Sequence, residues 1–221
     1  MIQITRGPEP AALATNAVAW TRELLDSIAA GATKSQQWQS ARYGTDDVRA
    51  ALERDTRGKC MYCESRIRPV AYPNVEHIRP KAFFRDLTFV WSNLGAACPV
   101  CNTNKRDRYD TAQPPVNPYT EDPAAFFVPV GPVVWPVPGN DRAKLTERQL
   151  EINRDELVRR RLEKLTQLRD LVELAAKETN AALKAISLAE ARSLASSSGE
   201  YSFISQPVLT LLLEKAGLSA T

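Results

Sequence analysis

Hydrophobic positions along the chain fall into two kinds of pattern. Between Pro10 and Gly31, Trp20, Leu24, Leu25 and Ile28 share one helical face, which predicts a helix stopped by Gly31. Val48, Ala51 and Leu52 predict a second helix over Thr45 to Thr56. Thr45 serves as its N-cap, Asp46 and Asp47 suit the positive end of its dipole, and Gly58 lies just past its end. From Asn153, a fair N-cap followed by Asp155 and Glu156, a longer pattern begins. Leu165, Leu168, Val172, Ala175, Thr179, Ala182, Ile186 and Ala189 recur at steps of three and four residues, up to a stop at Ser196–Gly199. That seam predicts a long helix with an antiparallel or coiled-coil partner. A last helix is expected around Pro207 to Ala216, apolar on most sides through Val208, Leu209, Leu211, Leu212 and Leu213.

The second kind of pattern is short and interrupted. In the Pro-rich stretch from Gln113 to Pro138, Phe126–Val130 and Val133–Trp135 flank Gly131-Pro132. This predicts a small hairpin, or an extended arm, because proline is confined to strand edges. Cys60 to Tyr109 shows no regular period. The expected class is α+β, mostly helical. Four parts are expected: residues 1–57 as an N-terminal helical region, 58–112 as the chemical core, 113–144 as the Pro-rich arm or hairpin, and 145–221 as a C-terminal helical region for packing or docking.

Composition narrows the class. At 221 residues, with 43% hydrophobic and 25% charged residues, the chain has an ordinary globular make-up. No stretch approaches the roughly 18 consecutive apolar residues of a membrane span. Met1 to Ala14 lacks the basic start and apolar core of a secretion signal, so a cytoplasmic location is expected. The net charge of +3 is unevenly spread: residues 57–109 hold ten Lys/Arg against four Asp/Glu, and the remainder is net acidic. A basic segment suits a polyanionic partner, although a solvated charged surface reads the same way.

The chemistry concentrates in that basic segment. Cys60, Cys63, Cys98 and Cys101 form two C-x-x-C pairs with 34 residues between them, and no cysteine is left over. With no secretion signal, such knuckles favour a closed four-sulfur zinc site over a disulfide framework or free thiols. Between and after the knuckles lie Val75-Glu76-His77-Ile78, expected as a short strand, then Arg79-Pro80-Lys81, Trp91-Ser92-Asn93-Leu94, and Cys101-Asn102-Thr103-Asn104-Lys105 entering a helix. His77 is the chain's single histidine. Taken singly, each residue has a plainer role: His77 as a structural histidine, Asn93 as a turn residue, Asn102 as a helix N-cap, Lys105 as a solvated helix residue, Trp91 as core.

Together these residues resemble the HNH endonucleases, whose ββα-metal motif carries an acidic residue or His before a His on the first strand, an Asn, and a final His or Asn on the helix. Here the positions read Glu76-His77, Asn93 and Asn102. Lys59–Glu64, Glu76–Lys81, Trp91–Leu94 and Cys98–Lys105 resemble more closely the Septu-type, PtuB-like defence nucleases, which also occur beside some retrons. Asn117-Pro118-Tyr119 and Asn153–Leu157 resemble the downstream part of that branch. The resemblance implies a zinc-anchored ββα-metal fold in the core and a metal-dependent nuclease acting on DNA, double-stranded above all. It also implies an antiviral defence role beside an ATPase of the ABC or SMC-like type. His77 is then the general base, and Asn93 holds its ring by a hydrogen bond. Glu76 and Asn102 bind a catalytic Mg²⁺ or Mn²⁺, and Arg79, Lys81 and Lys105 contact phosphate. Glu76 stands where Asp or His is commoner. A stand-alone restriction-type HNH enzyme and a non-catalytic zinc module binding nucleic acid or protein are the alternatives.

Overall fold

The computed structural model describes residues 1–39, 42–68 and 71–218. Helices dominate, with two small antiparallel sheets among the described residues.

The first helix, α1 (Ala11–Ala29), buries the stripe Leu13, Ala17, Trp20, Leu24 and Ile28. Leu25, expected on that face, is 41% exposed, because one residue past Leu24 is about 100° round the helix. The short α2 (Lys34–Gln39) follows, then α3 (Asp46–Asp55), which buries Val48, Ala51 and Leu52 as its spacing predicts. Its start differs from expectation. The Thr45 side chain accepts no helix N–H; its hydroxyl donates to Asp47, whose carboxylate accepts from the N–H of Val48 and, at 3.2 Å, from that of Ala12. One carboxylate thus joins the first turns of α1 and α3.

The metal-ligand segment is built on β1 (Asn74–His77), β2 (Leu94–Ala97) and α4 (Pro99–Lys105). The strands pair antiparallel with Glu76 opposite Gly95 and His77 opposite Leu94. Gly95 has a packing reason: a Cβ there would meet the Met61 sulfur at 2.3 Å. The hairpin β3 (Phe127–Val130) and β4 (Val133–Pro136) turns at Gly131, where φ is +57°. A helix not expected from the pattern, α5 (Asp141–Leu150), comes next, capped by Asn140 on the N–H of Ala143. It buries only Ala143, Thr146 and Leu150, too sparse an apolar stripe to stand out in the sequence.

The long predicted helix is two helices, α6 (Asp155–Lys177) and α7 (Ala181–Ala195). Asn180 breaks the seam, because its side chain accepts the N–H groups of Ala182 and Leu183 and starts a new helix. The seam closes on itself: Leu168 and Val172 pack with Ala191 and Ala195, while Ile186 is 63% exposed. Asn153 does not cap α6. Its amide pairs with both backbone groups of Val134, fastening β4 to the start of the helix. The last helix, α8 (Ser202–Lys215), begins before Pro207 and completes this bundle through Leu209 and Leu213. Proline inside it removes one helical hydrogen bond.

The largest buried cluster joins Met1 and Ile4, the cysteine knuckles, Phe127 and Val134, Leu150 and Ile152, and Tyr201 and Ile204. The metal-ligand segment is therefore packed by residues from both ends of the chain. No helix is long and apolar enough to cross a membrane among the described residues.

Candidate metal centre and adjoining groove

The first knuckle follows α3 at Gly58, where φ is +74°. Its turn closes through Cys60 N–H to Ser65 O and Glu64 N–H to Cys60 O, with Lys59 and Arg66 bridged across its base. The second knuckle is the start of α4: Cys98 is the N-cap, Pro99 fills the first turn, and the Cys98 sulfur accepts from the Cys101 N–H. Met61 N–H donates to Ala96 O, which holds the first turn against β2 beside the second. The four Sγ atoms lie within 4.8 Å of one another, positioned to bind one metal ion. Arg154 Nη1 approaches Cys101 Sγ at 3.8 Å and offers positive charge to a thiolate cluster.

A clamp from the C-terminal helices secures the first knuckle. Lys59 Nζ donates to the carbonyls of Ser197 and Gly199, each at 2.8 Å. Glu64 accepts from the Ser202 hydroxyl at 2.6 Å, and the Ser65 and Tyr201 hydroxyls lie 3.0 Å apart. These groups are buried or half-buried, where a paired charge is stabilising and an orphaned one is costly.

His77 closes β1 and faces a groove of about 410 Å³. Its Nε2 lies 3.0 Å from the Thr88 carbonyl oxygen. A carbonyl only accepts, so Nε2 carries the hydrogen and Nδ1 keeps the lone pair. Burial, with the ammonium groups of Lys81 and Lys105, holds the imidazole pKa down at about 3 despite the Thr88 bond. The ring is therefore neutral across the physiological range.

The expected partners of His77 are arranged differently from the prediction in three respects. Asn93 does not hold the ring. Its Oδ1 accepts from the Arg79 N–H at 2.8 Å, and its Nδ2 donates to the Arg79 and Leu87 carbonyls. It therefore clasps both sides of the loop that delivers Thr88. Lys105 is no phosphate contact. It is 1% exposed, and its ammonium sits 2.6 Å from Glu76 Oε1 and 2.8 Å from the His77 carbonyl. Glu76 is consequently paired already, with the Tyr62 hydroxyl 3.4 Å from the same oxygen. Burial raises the Glu76 pKa, and Lys105 and Tyr62 pull it only part of the way back.

Glu76, His77, Lys81 and Asn102 line the one groove, whereas Arg79 is exposed and lines a neighbouring cleft with Asn93. Asn102 is not a helix cap; that position belongs to Cys98. Sequence reasoning missed Thr88, which acts through a backbone carbonyl any residue would supply. It also missed Tyr43, whose ring stands edge-on to His77 at 4.7 Å.

Residues 60–108 match the HNH endonuclease family model. The match spans both knuckles, β1, β2 and α4. The chain is also similar to two proteins named Septu protein PtuB. The one from Bacillus thuringiensis is 28% identical over 125 residues, covering 56% of this chain and 44% of that protein. The one from Bacillus mycoides (strain KBAB4) is 30% identical over 125 residues, covering 49% and 42%. The chain thus spans less than half the length of either curated relative. The resemblance to HNH endonucleases is borne out over residues 60–108, which carry the cysteines and His77, and the resemblance to the Septu branch over about half of the chain.

Proposed function

We propose that the chain is a metal-dependent HNH endonuclease that hydrolyses DNA phosphodiester bonds. One observation carries the reading: a neutral, single histidine lines a groove, its Nε2 tied to the Thr88 carbonyl and its Nδ1 without a hydrogen bond among the described residues, inside the segment that matches the HNH family. Hydrolysis needs a base for water, charge neutralisation at phosphorus, and help for the leaving oxygen. His77 Nδ1 takes the proton from water; burial makes the resting imidazole a weak base, so the negative phosphate brought into the groove and the Thr88 carbonyl must stabilise the imidazolium as it forms. Lys105 holds the His77 backbone and Glu76 in place. Lys81 meets a substrate phosphate in the groove, and Arg79 meets the strand beyond it.

The structural metal in this reading is zinc. A tetrahedral site with Zn–S bonds of about 2.3 Å puts sulfurs about 3.8 Å apart, and Cys63 Sγ and Cys98 Sγ stand at 3.8 Å. Glu76 and Asn102 are the oxygen donors for Mg²⁺ or Mn²⁺, because both line the groove of His77 and hard cations take such ligands. Such an ion would meet a Glu76 carboxylate already paired with Lys105. When bound, it neutralises charge on the phosphate and eases departure of the leaving oxygen. The Septu name of both relatives supports a place in antiviral defence, and an ATPase partner of the ABC or SMC-like type follows from the resemblance to that branch.

The test is cleavage of supercoiled plasmid DNA by the full chain with Mg²⁺ or Mn²⁺, alone and with a candidate ATPase. His77→Ala is expected to lower the rate by about 10²-fold or more while the cysteine centre stays intact. Equal cutting by variant and wild type would refute the assignment. DNA binding without cleavage under every condition would favour a non-catalytic zinc module.

A further inference from the structure

Tyr43 lies 17 residues before the first cysteine and outside the segment that matches the HNH family. The chain nevertheless brings it onto the groove of His77. Its ring meets the imidazole edge-on, with centroids 4.7 Å apart and planes at 88°. Its hydroxyl accepts a short hydrogen bond from Lys81 Nζ, which also lies 4.5 Å from the ring centroid. One side chain thus touches the base and the groove's ammonium together.

The turn that carries Tyr43 (Arg42–Gly44) is pinned from three directions. Arg42 pairs with Glu23 of α1 at 2.8 Å. Arg49 of α3 donates Nε to the Gly44 carbonyl at 2.8 Å and Nη1 to the Pro73 carbonyl just before β1. The Tyr43 ring also packs towards Phe89, one residue past the carbonyl that holds His77 Nε2. The ring is therefore placed by α1, α3 and the Thr88 loop, and the imidazole is bounded by a hydrogen bond at Nε2 and a perpendicular aromatic ring.

We infer that Tyr43 is a positioning residue of the catalytic groove: its ring fixes the plane of the His77 imidazole, and its hydroxyl holds Lys81 where a substrate phosphate arrives. This rests on the nuclease reading for its consequences but not for its geometry. The N-terminal helices then complete the active site of the metal-anchored core rather than merely covering it. Ring and hydroxyl have separable effects, since Tyr43→Phe keeps the first and removes the second, while Tyr43→Leu keeps apolar bulk and loses both.

The experiment uses the full chain. With a single histidine, selective ¹³C labelling gives one set of imidazole signals. Tyr43→Leu is expected to move the His77 ring-proton resonances, because the aromatic ring current is lost, and Tyr43→Phe to leave them nearly in place. In plasmid cleavage, Tyr43→Leu is expected to lower kcat about tenfold, as misorientation of a general base does. Tyr43→Phe is expected to raise KM several-fold with kcat held. Binding of a labelled 30-base-pair duplex without added divalent ion should lose about one unit of salt slope in Tyr43→Phe, as when one phosphate contact goes. Lys81→Ala should add little on top of Tyr43→Phe. Imidazole resonances unmoved by Tyr43→Leu would overturn the inference, and so would Tyr43→Phe matching wild type in KM and salt slope. If Tyr43→Leu does not fold, the Tyr43→Phe arm decides. If the resonances move but His77→Ala cuts as well as wild type, the positioning stands and the nuclease reading falls.

Discussion

The cysteines and His77 lie in the same matched segment, yet the cysteine centre and the His77 groove are built in different ways. Each cysteine pair is set by its own tight local turn, one at the N-cap of α4, and the two turns are brought together where Met61 bonds to β2. The groove draws on more elements. His77 comes from β1, its carbonyl partner from the Thr88 loop, Asn102 from α4, and Tyr43 from before α3. A metal centre tolerates this local construction because four thiolates need only one shared point. A base must be aimed, and aiming requires contacts from several sides.

The largest effect should follow from breaking the closed region. Cys60→Ser is expected to lose bound metal and unfold the segment, since structural metal binding contributes on the order of 10 kcal/mol to folding. Metal content and a thermal melt would show it, and a fully stable, metal-free variant would count against the centre. The groove should collapse with it, because the knuckles carry both β2 and α4.

Lys105 lies between the two regions and separates two accounts of itself. Lys105→Met leaves Glu76 buried without its partner, at a cost of about 3–5 kcal/mol in chemical denaturation. If Lys105 were instead a phosphate contact, the variant would weaken DNA binding and leave stability untouched. A smaller cost, about 1–3 kcal/mol, is expected for Gly95→Ala, where the new Cβ collides with the Met61 sulfur that spaces the knuckle from β2. Differential scanning calorimetry would give its size.

The smallest effect lies outside both regions and serves as their control. Burial acts to raise the Glu121 pKa, but the fork of Arg142 and the Asn117 N–H outweigh it and leave the carboxyl below its usual range. A lowered folded value means that the pair stabilises above the ordinary glutamate range and loses that contribution as pH falls through the folded value. Glu121→Gln should therefore cost about 1 kcal/mol or less at neutral pH. The difference from wild type should vanish in acid, as urea titrations at several pH values would show. Metal content should not change.

Much of the architecture was readable in advance where residue type and spacing carry the signal. The faces of α1 and α3, with Leu25 misplaced, followed from a period of about 3.6. The seam of α6 and α7 was visible, but its break at Asn180 was not, because Thr179 and Ala182 continue the period across the loop. A capping side chain competes with that period and leaves it unchanged. In the site, the resemblance picked out His77 and the groove residues Glu76, Lys81 and Asn102. It gave Lys105 the wrong surroundings and Asn93 the wrong partner. A lysine's hydrocarbon stem lets its charge sit either in water or against a buried carboxylate, and only packing chooses.

By itself the sequence singled out the four cysteines that the structure gathers and the one imidazole that it places on the groove. Four cysteines in two C-x-x-C pairs and one histidine admit few arrangements, since thiolate and imidazole chemistry belongs to those residue types alone. Only the tertiary structure decided which nitrogen of His77 keeps its lone pair, that Lys105 is internal, and that Tyr43 stands at the groove. Those facts depend on a backbone carbonyl, on burial and on a contact across 34 residues of chain, none of which leaves a mark in the order of the side chains.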